Sequence, residues 1–344
     1  MTYLALKRLA SFSAVAILGV GSAFAADYSL KQKFPIAGDG GWDYLTYDAS
    51  AHRLFISRGT HVQVVDPDQG KVLADIPDTP GVHGIALAQD LGKGFTSNGR
   101  DDSVTVFDLK TLRTIAKVKT AGGRNPDFIA YDEASKRIFT FNGASANASV
   151  FDAAKQELVA TIPLDGKPEA AVADGSGLLY VDIEDKNEVT VVDTRKAEVV
   201  KSWPVAGCEE PAAIALDKAA RKLFVGCHNK KLAVVDVESG KVAATLPIGA
   251  GVDAAAFDPG TKLVFSSQGD GTLTIVRETS PGTYAVSQNV STQRGARTMT
   301  INPRNHDIYL VTAEFDEAPP AAGEQRPRRT MKPGSFVLLV VSAR

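Results

Sequence analysis

Six side chains able to do chemistry recur at nearly even spacing in this 344-residue chain: Asp43, His83, Asp127, Glu169, Asp253 and Arg297. Each is the second residue of a similar short segment: WDYLTYD, VHGIALA, PDFIAYD, PEAAVAD, VDAAAFD and ARTMTIN. A seventh copy, PAAIALD, carries Ala212 at that place, and successive copies lie 40, 44, 42, 43, 41 and 44 residues apart. Four carboxylates and one imidazole make an oxygen-rich set suited to a divalent cation, with Asp43, His83, Asp127, Glu169 and Asp253 as candidate ligands. Crowded carboxylates also hold protons to a higher pH than isolated ones, which suits them to general acid–base work. Arg297 matches a ligand carboxylate by a bidentate pair. In the copy that has Ala212, the preceding Glu209 and Glu210 are expected to lean into the gap. A plainer reading stands beside this one: a polar strand start accepts hydrogen bonds from its own turn, and a polar mouth holds only water.

These residues need elements to position them. After each segment come a turn, a second strand (LFIS, GFTS, IFTF, LYVD, LFVG, VFSS, IYLV), a third ending in aspartate (VQVVD, VTVFD, ASVFD, VTVVD, LAVVD), and a fourth such as VLADIP or LVATIP. Short β-branched runs between Gly, Asp and Lys turns are strand and hairpin signals, and a period near 42 residues suits one propeller blade. The fold class is therefore all-β: a seven-bladed β-propeller with four-stranded blades, in which the N-terminal YSLKQKFPIAG completes the last blade and hides its edge. One propeller domain is expected over residues 26–344. Starts of first strands ring the channel mouth in such a fold. Ends of second strands reach the same face and are polar: Arg58, His61, Asn98, Asn142, Asp182, His228, Gln268 and Glu314.

The LYVD- and LFVG-type strands, followed by V-x-V-V-D and then G-K-V with an apolar strand, resemble the YVTN-repeat β-propellers of exported bacterial proteins. The resemblance covers nearly all of the chain after residue 25. It implies the fold. For activity it implies only a range, since members include uncharacterised periplasmic and surface proteins and related propellers include lactonases. The G-H and W-D signature of WD repeats is missing.

Residues 1–25 have the form of a cleavable signal peptide: Lys7 and Arg8, an apolar run from Leu9 to Val20, and Ala23-Phe24-Ala25 before the cut. Its loss makes the net charge of −2 more negative by two. No later stretch approaches the roughly 20 apolar residues of a spanning helix. A periplasmic or secreted monomer is expected. Cys208 and Cys227 are the two cysteines, and a disulfide between them would pin the Glu209–Glu210 loop. Residues 313–335 interrupt the last blade with a Pro- and Arg-rich insertion; Arg326, Arg328, Arg329 and Lys332 mark it as a lid or a docking loop for an anionic partner. P-loop, G-x-G-x-x-G, nucleophile-elbow and HExxH motifs are absent. The favoured function is a binding module that holds a small polar ligand, a divalent cation or a protein or peptide partner at the acidic mouth. A metal-assisted, lactonase-like hydrolase using the same residues is the alternative. Single-stranded nucleic-acid binding is weaker, because the charge is acidic and no aromatics interleave with the arginines.

Overall fold

Aspartates that close the third strands explain how the chain reverses into each fourth strand. Asp66 Oδ1 accepts the amides of Asp68 (2.8 Å) and Gln69 (3.2 Å), and Asp152 Oδ1 accepts those of Ala154 (3.0 Å) and Lys155 (2.9 Å). Asp193 does the same for Arg195 and Lys196, both at 2.9 Å. A carboxylate that ties its own turn needs no tertiary partner, so the device can repeat blade after blade.

The computed structural model describes residues 27–38, 40–318 and 328–344; the expected signal peptide and Arg326 lie outside them. Among the described residues the strands form seven four-stranded sheets and one two-stranded ribbon. First strands are Leu45–Asp48, Val82–Ala88, Pro126–Asp132, Pro168–Ala173, Pro211–Asp217, Val252–Asp258 and Met299–Ile301. Third strands such as Val62–Asp66 are buried almost throughout, whereas fourth strands such as Lys71–Ile76 alternate exposed and half-buried residues. The core therefore lies between blades. Phe224 of the fifth blade stacks on Phe257 of the sixth at 6.1 Å, and Val234 and Val264 belong to the same apolar cluster.

Closure follows the sequence expectation. Tyr28–Pro35 pairs antiparallel with Val337–Ala343 as the outer strand of the seventh blade. Gln288 of the sixth blade clasps it by accepting the Tyr28 amide (2.9 Å) and donating to the Tyr28 carbonyl (2.7 Å). The Tyr28 ring is buried edge-on against Phe265 at 5.2 Å. Chain ends from opposite termini thus share one blade, and no blade edge is left where the ring meets itself.

Two expectations need correction. Second-strand ends do not all face solvent: Arg58, Asn98, Asn142, Asp182 and Gln268 are fully buried. Asn98 donates to Ser103 (3.1 Å) and Thr105 (2.9 Å) and accepts from Thr96 (2.8 Å); Gln268 accepts from Thr272 (3.0 Å) and Thr274 (3.2 Å). They satisfy polar groups inside their own sheets. His61 stands at the rim, 3.6 Å from Asp75. The insertion is not irregular throughout either, because Phe315–Ala318 pairs with Arg328–Met331 as a β-ribbon. Lys332 is partnered by Glu314 (3.4 Å) and Asp316 (3.8 Å), so its charge is compensated locally.

Cys208 and Cys227 form a disulfide with a Cα–Cα distance of 5.4 Å, next to the paired Pro211 and Cys227. Among the described residues no helix is long and apolar enough to cross a membrane. Replacing both cysteines by alanine frees a loop with a sequence separation of 19. The double variant is expected to lose about 3 kcal/mol of stability, seen as a lower Tm in calorimetry; an unchanged Tm would show that the bridge does not hold this loop.

Candidate functional site

Side chains at the mouth are aimed by a local fault in five of the seven first strands. Pairing register shifts between Val82 and Ile85, Pro126 and Ile129, Pro168 and Ala171, Pro211 and Ala213, and Val252 and Ala254. His83, Asp127, Glu169, Ala212 and Asp253 sit inside these five bulges. A bulge frees one residue from the ladder and re-aims its side chain, here toward the axis. The freed backbone is tied to hydroxyls. Ser57 Oγ accepts the Asp43 amide (2.9 Å) and Ser97 Oγ accepts the Gly84 amide (2.9 Å). Thr298 donates to the Asp43 carbonyl of the next blade at 2.7 Å, and Ser97 and Ser267 donate likewise to the carbonyls of Asp127 and Arg297. Three site residues, Asp43, Asp127 and Arg297, are thus fixed by the preceding blade.

Asp43, His83, Asp127, Glu169, Asp253 and Arg297 all line one open cavity of about 710 Å³. His83 Nδ1 lies 2.6 Å from Asp43 Oδ2 and 3.5 Å from Asp127 Oδ1. Arg297 Nε donates to Asp253 Oδ2 at 2.9 Å, and its terminal nitrogen stands 3.7 Å from Asp43 Oδ1. Lys167 reaches Glu169 at 3.0 Å and also contacts Glu184. Burial pushes Asp127 up to about 7; His83 pulls against this, while Asp43 and Glu169 add to it. Asp253 also reaches about 7, because burial outweighs the pull of Arg297. Burial raises Glu169 in spite of Lys167. Burial alone would lower His83, but the hydrogen bond with Asp43 and the charge of Asp127 prevail and raise it. The mouth is thus a set of carboxyls reluctant to ionise without a cation.

Glu210 does not join them. It lies in a side cleft near Glu184 and Asn187, where His228 Nδ1 stands 3.2 Å from its carboxylate, while Ala212 is buried. The Glu210 amide is held by Asn187 Oδ1 at 2.8 Å, and the buried Ala212 leaves the gap apolar. Sequence reasoning missed Tyr44, which floors the cavity edge-on against Phe128 at 5.3 Å. Burial, then the charges of Asp127 and Asp253, raise its hydroxyl well above the usual value. It also missed the wall made by Trp42 and Phe315, whose rings are 5.8 Å apart, and Arg294 beside them. A signal was present for Tyr44: an aromatic stands there and at Phe128, where four other copies carry Gly84, Ala170, Ala213 or Ala254.

The family described as Cytochrome D1 heme domain matches residues 53–270, well over half of the chain. Among solved structures, one titled Kuenenia stuttgartiensis Hydrazine Synthase is similar, with a TM-score of 0.69 and 17% identity over 80% of this chain and 93% of that one. At that identity the likeness concerns the fold. No curated protein matches the sequence.

Carboxyls with a folded pKa above the ordinary 3.8 keep protons that the unfolded chain has lost. The contribution of these two carboxyls to stability is therefore fully present below about pH 4 and is lost as the pH rises toward 7. Asp253→Asn is expected to raise stability at pH 8 by on the order of 1–2 kcal/mol and to leave it unchanged near pH 4. Thermal melts in chelator at the two pH values check this; destabilisation at pH 8 would mean that the Arg297 pair outweighs burial.

Proposed function

The chain belongs to the cytochrome D1 heme domain family, and we propose that it works as a binding propeller that holds a divalent cation at its acidic mouth. One observation carries the reading: His83 Nδ1 and carboxylate oxygens of Asp43 and Asp127 all lie within 4.8 Å of one another. Three such atoms leave open positions for water or a ligand on a divalent ion. Glu169 and Asp253 stand around them as further oxygen donors. The bulges and hydroxyl ties hold these groups before the ion arrives, which lowers the ordering cost of binding.

The family name raises a haem. A haem needs an axial donor free to reach its iron, and partners for its carboxylates. His83 gives Nδ1 to Asp43, and its Nε2 lies over Gly99 so closely that a Cβ there would stand 2.8 Å away. His228 is turned to Glu210. Arg294 and Arg297 line the cavity and can meet a carboxylate, so it is the lack of a free axial histidine there among the described residues that decides. The residues present do not fit that group, and no step is routed through it.

Two finer readings stay within the proposal. The disulfide, together with the leader read in the sequence, supports an oxidising, exported setting. The likeness of the blades to YVTN-repeat propellers describes the same ring at finer grain. A hydrolase using a cation-bound water has one observation in its favour, the Asp253 carboxyl held near 7 beside Arg297, which suits a general base.

Titration calorimetry of chelator-stripped protein with Mn²⁺ or Zn²⁺ tests the reading. One ion per chain is expected, and Asp127→Asn or His83→Ala should weaken it by at least about tenfold, since each deletes a ligand. Retention of full affinity in both variants would end the proposal.

A further inference from the structure

The cavity is far larger than its ion. At roughly 30 Å³ per water, an ion with a full hydration shell fills about 200 Å³, whereas the mouth holds about 710 Å³. That volume falls in the range of pockets for small organic ligands. Charge is unevenly spread: carboxylates dominate one side, and on the other each arginine already has a carboxylate neighbour, Asp253 at 2.9 Å from Arg297 and Glu317 at 4.0 Å from Arg294. Asp43, His83, Asp127 and Glu169 come from the first four blades; Arg294 and Arg297 come from the approach to the seventh. Beside the arginines the wall is bare backbone. Gly251, Gly269 and Gly295 are linked in series, the Gly269 amide donating to the Gly251 carbonyl (2.7 Å) and the Gly295 amide to the Gly269 carbonyl (2.8 Å). Opposite this smooth face stand Trp42 and Phe315. Trp42 is braced by Phe336 at 5.4 Å, and the buried Arg58 guanidinium lies 3.6 Å over the Phe336 ring.

We infer that this part of the mouth binds a small organic carboxylate with a flat apolar body, its carboxylate on Arg297 and Arg294 and its body against Trp42 and Phe315. The inference rests on the reading of the mouth as the ligand site. Arg297 spends one donor on Asp253 and sits loosely against Asp43 at 3.7 Å. A guanidinium has five donors, so capacity remains for a ligand carboxylate. Its side chain is 49% exposed, open to the cavity it lines. An organic ammonium on the same aromatic wall would meet two arginines. A carboxylate there also faces the cation side, so ion and ligand attract each other across the opening. Phe315 belongs to the ribbon of the insertion, so the insertion supplies one ring of the wall.

Benzoate and benzylamine share a body and differ in charge, so calorimetry of the full chain with each, with and without Zn²⁺, tests the inference. Benzoate is expected to bind, more tightly with Zn²⁺ present, and benzylamine to bind at least about tenfold more weakly. Arg294→Gln and Arg297→Gln should each weaken benzoate by about tenfold or more, and Phe315→Ala should reduce the preference for benzoate over acetate. Arg294 is exposed, so its variant reports on binding even if Arg297→Gln unsettles Asp253. Preference for benzylamine, or benzoate binding indifferent to Arg294→Gln, would overturn the inference. Benzoate bound through the arginines without any ion would sink the cation reading alone; an ion bound without benzoate would sink this one alone.

Discussion

Carboxyls buried together resist ionisation, first because burial removes their water and then because they repel one another, and the mouth is organised around that reluctance. Asp127 and Asp253 are both pushed up to about 7, even though His83 and Arg297 stand beside them. Isolated strands would relieve such a strain by moving apart. Here they do not, because the ring is closed by Tyr28–Pro35 on the last blade and side-chain hydroxyls tie several neighbouring blades at the mouth, Thr298 to Asp43, Thr46 to Ile85, Ser97 to Asp127 and Ser267 to Arg297. Stability comes from the apolar seams between blades, where residues such as Phe224 and Val264 are buried. The seams let the mouth stay unfavourable on its own terms. That is the condition for a site that gains from binding a cation.

Much of this was legible in the sequence because the propeller is periodic. Seven copies of one segment identify the polar ring at Asp43, His83, Asp127, Glu169, Asp253 and Arg297, since a charge that returns every blade in an otherwise apolar strand is not there to pack. The bulges were less visible, although Pro126, Pro168 and Pro211 at first-strand starts and Ser57, Ser97 and Ser267 at second-strand ends mark where the ladder fails. Second-strand ends misled for a physical reason. An amide such as Asn98, buried and hydrogen-bonded inside its sheet, has the same one-letter signature as one facing water. Glu210 misled because a carboxylate beside a gap in sequence fills it only if the backbone turns that way, and here its amide is tied to Asn187 and its carboxylate lies by His228.

Trp42 and Phe315 were out of reach for another reason. Their contact joins the start of the first blade to an insertion in the last, and nothing periodic links them. Neighbours in a closed ring include the two ends of the chain, so the features least repeated in sequence meet at one seam. In this protein the seam carries the aromatic wall, Arg294, Arg297 and the ribbon. The repeated blades supply the acidic side of the mouth; the unrepeated ends supply its arginines and its aromatic wall.

Family membership and mouth chemistry can part company on such a fold. The family is recognised through residues 53–270, whose strands, turns and seams recur for reasons of packing. A residue freed by a bulge contributes little to those seams, so exchanging His83 or Asp127 for another side chain alters the chemistry and barely touches the core. The same ring can therefore present very different mouths. What decides the ligand is the local balance of charge and dehydration, and here His83 is committed to two carboxylates at 2.6 and 3.5 Å. A histidine so placed keeps Nδ1 between two carboxylates, a geometry set by the bulges of this mouth and not by the seams through which the family is recognised.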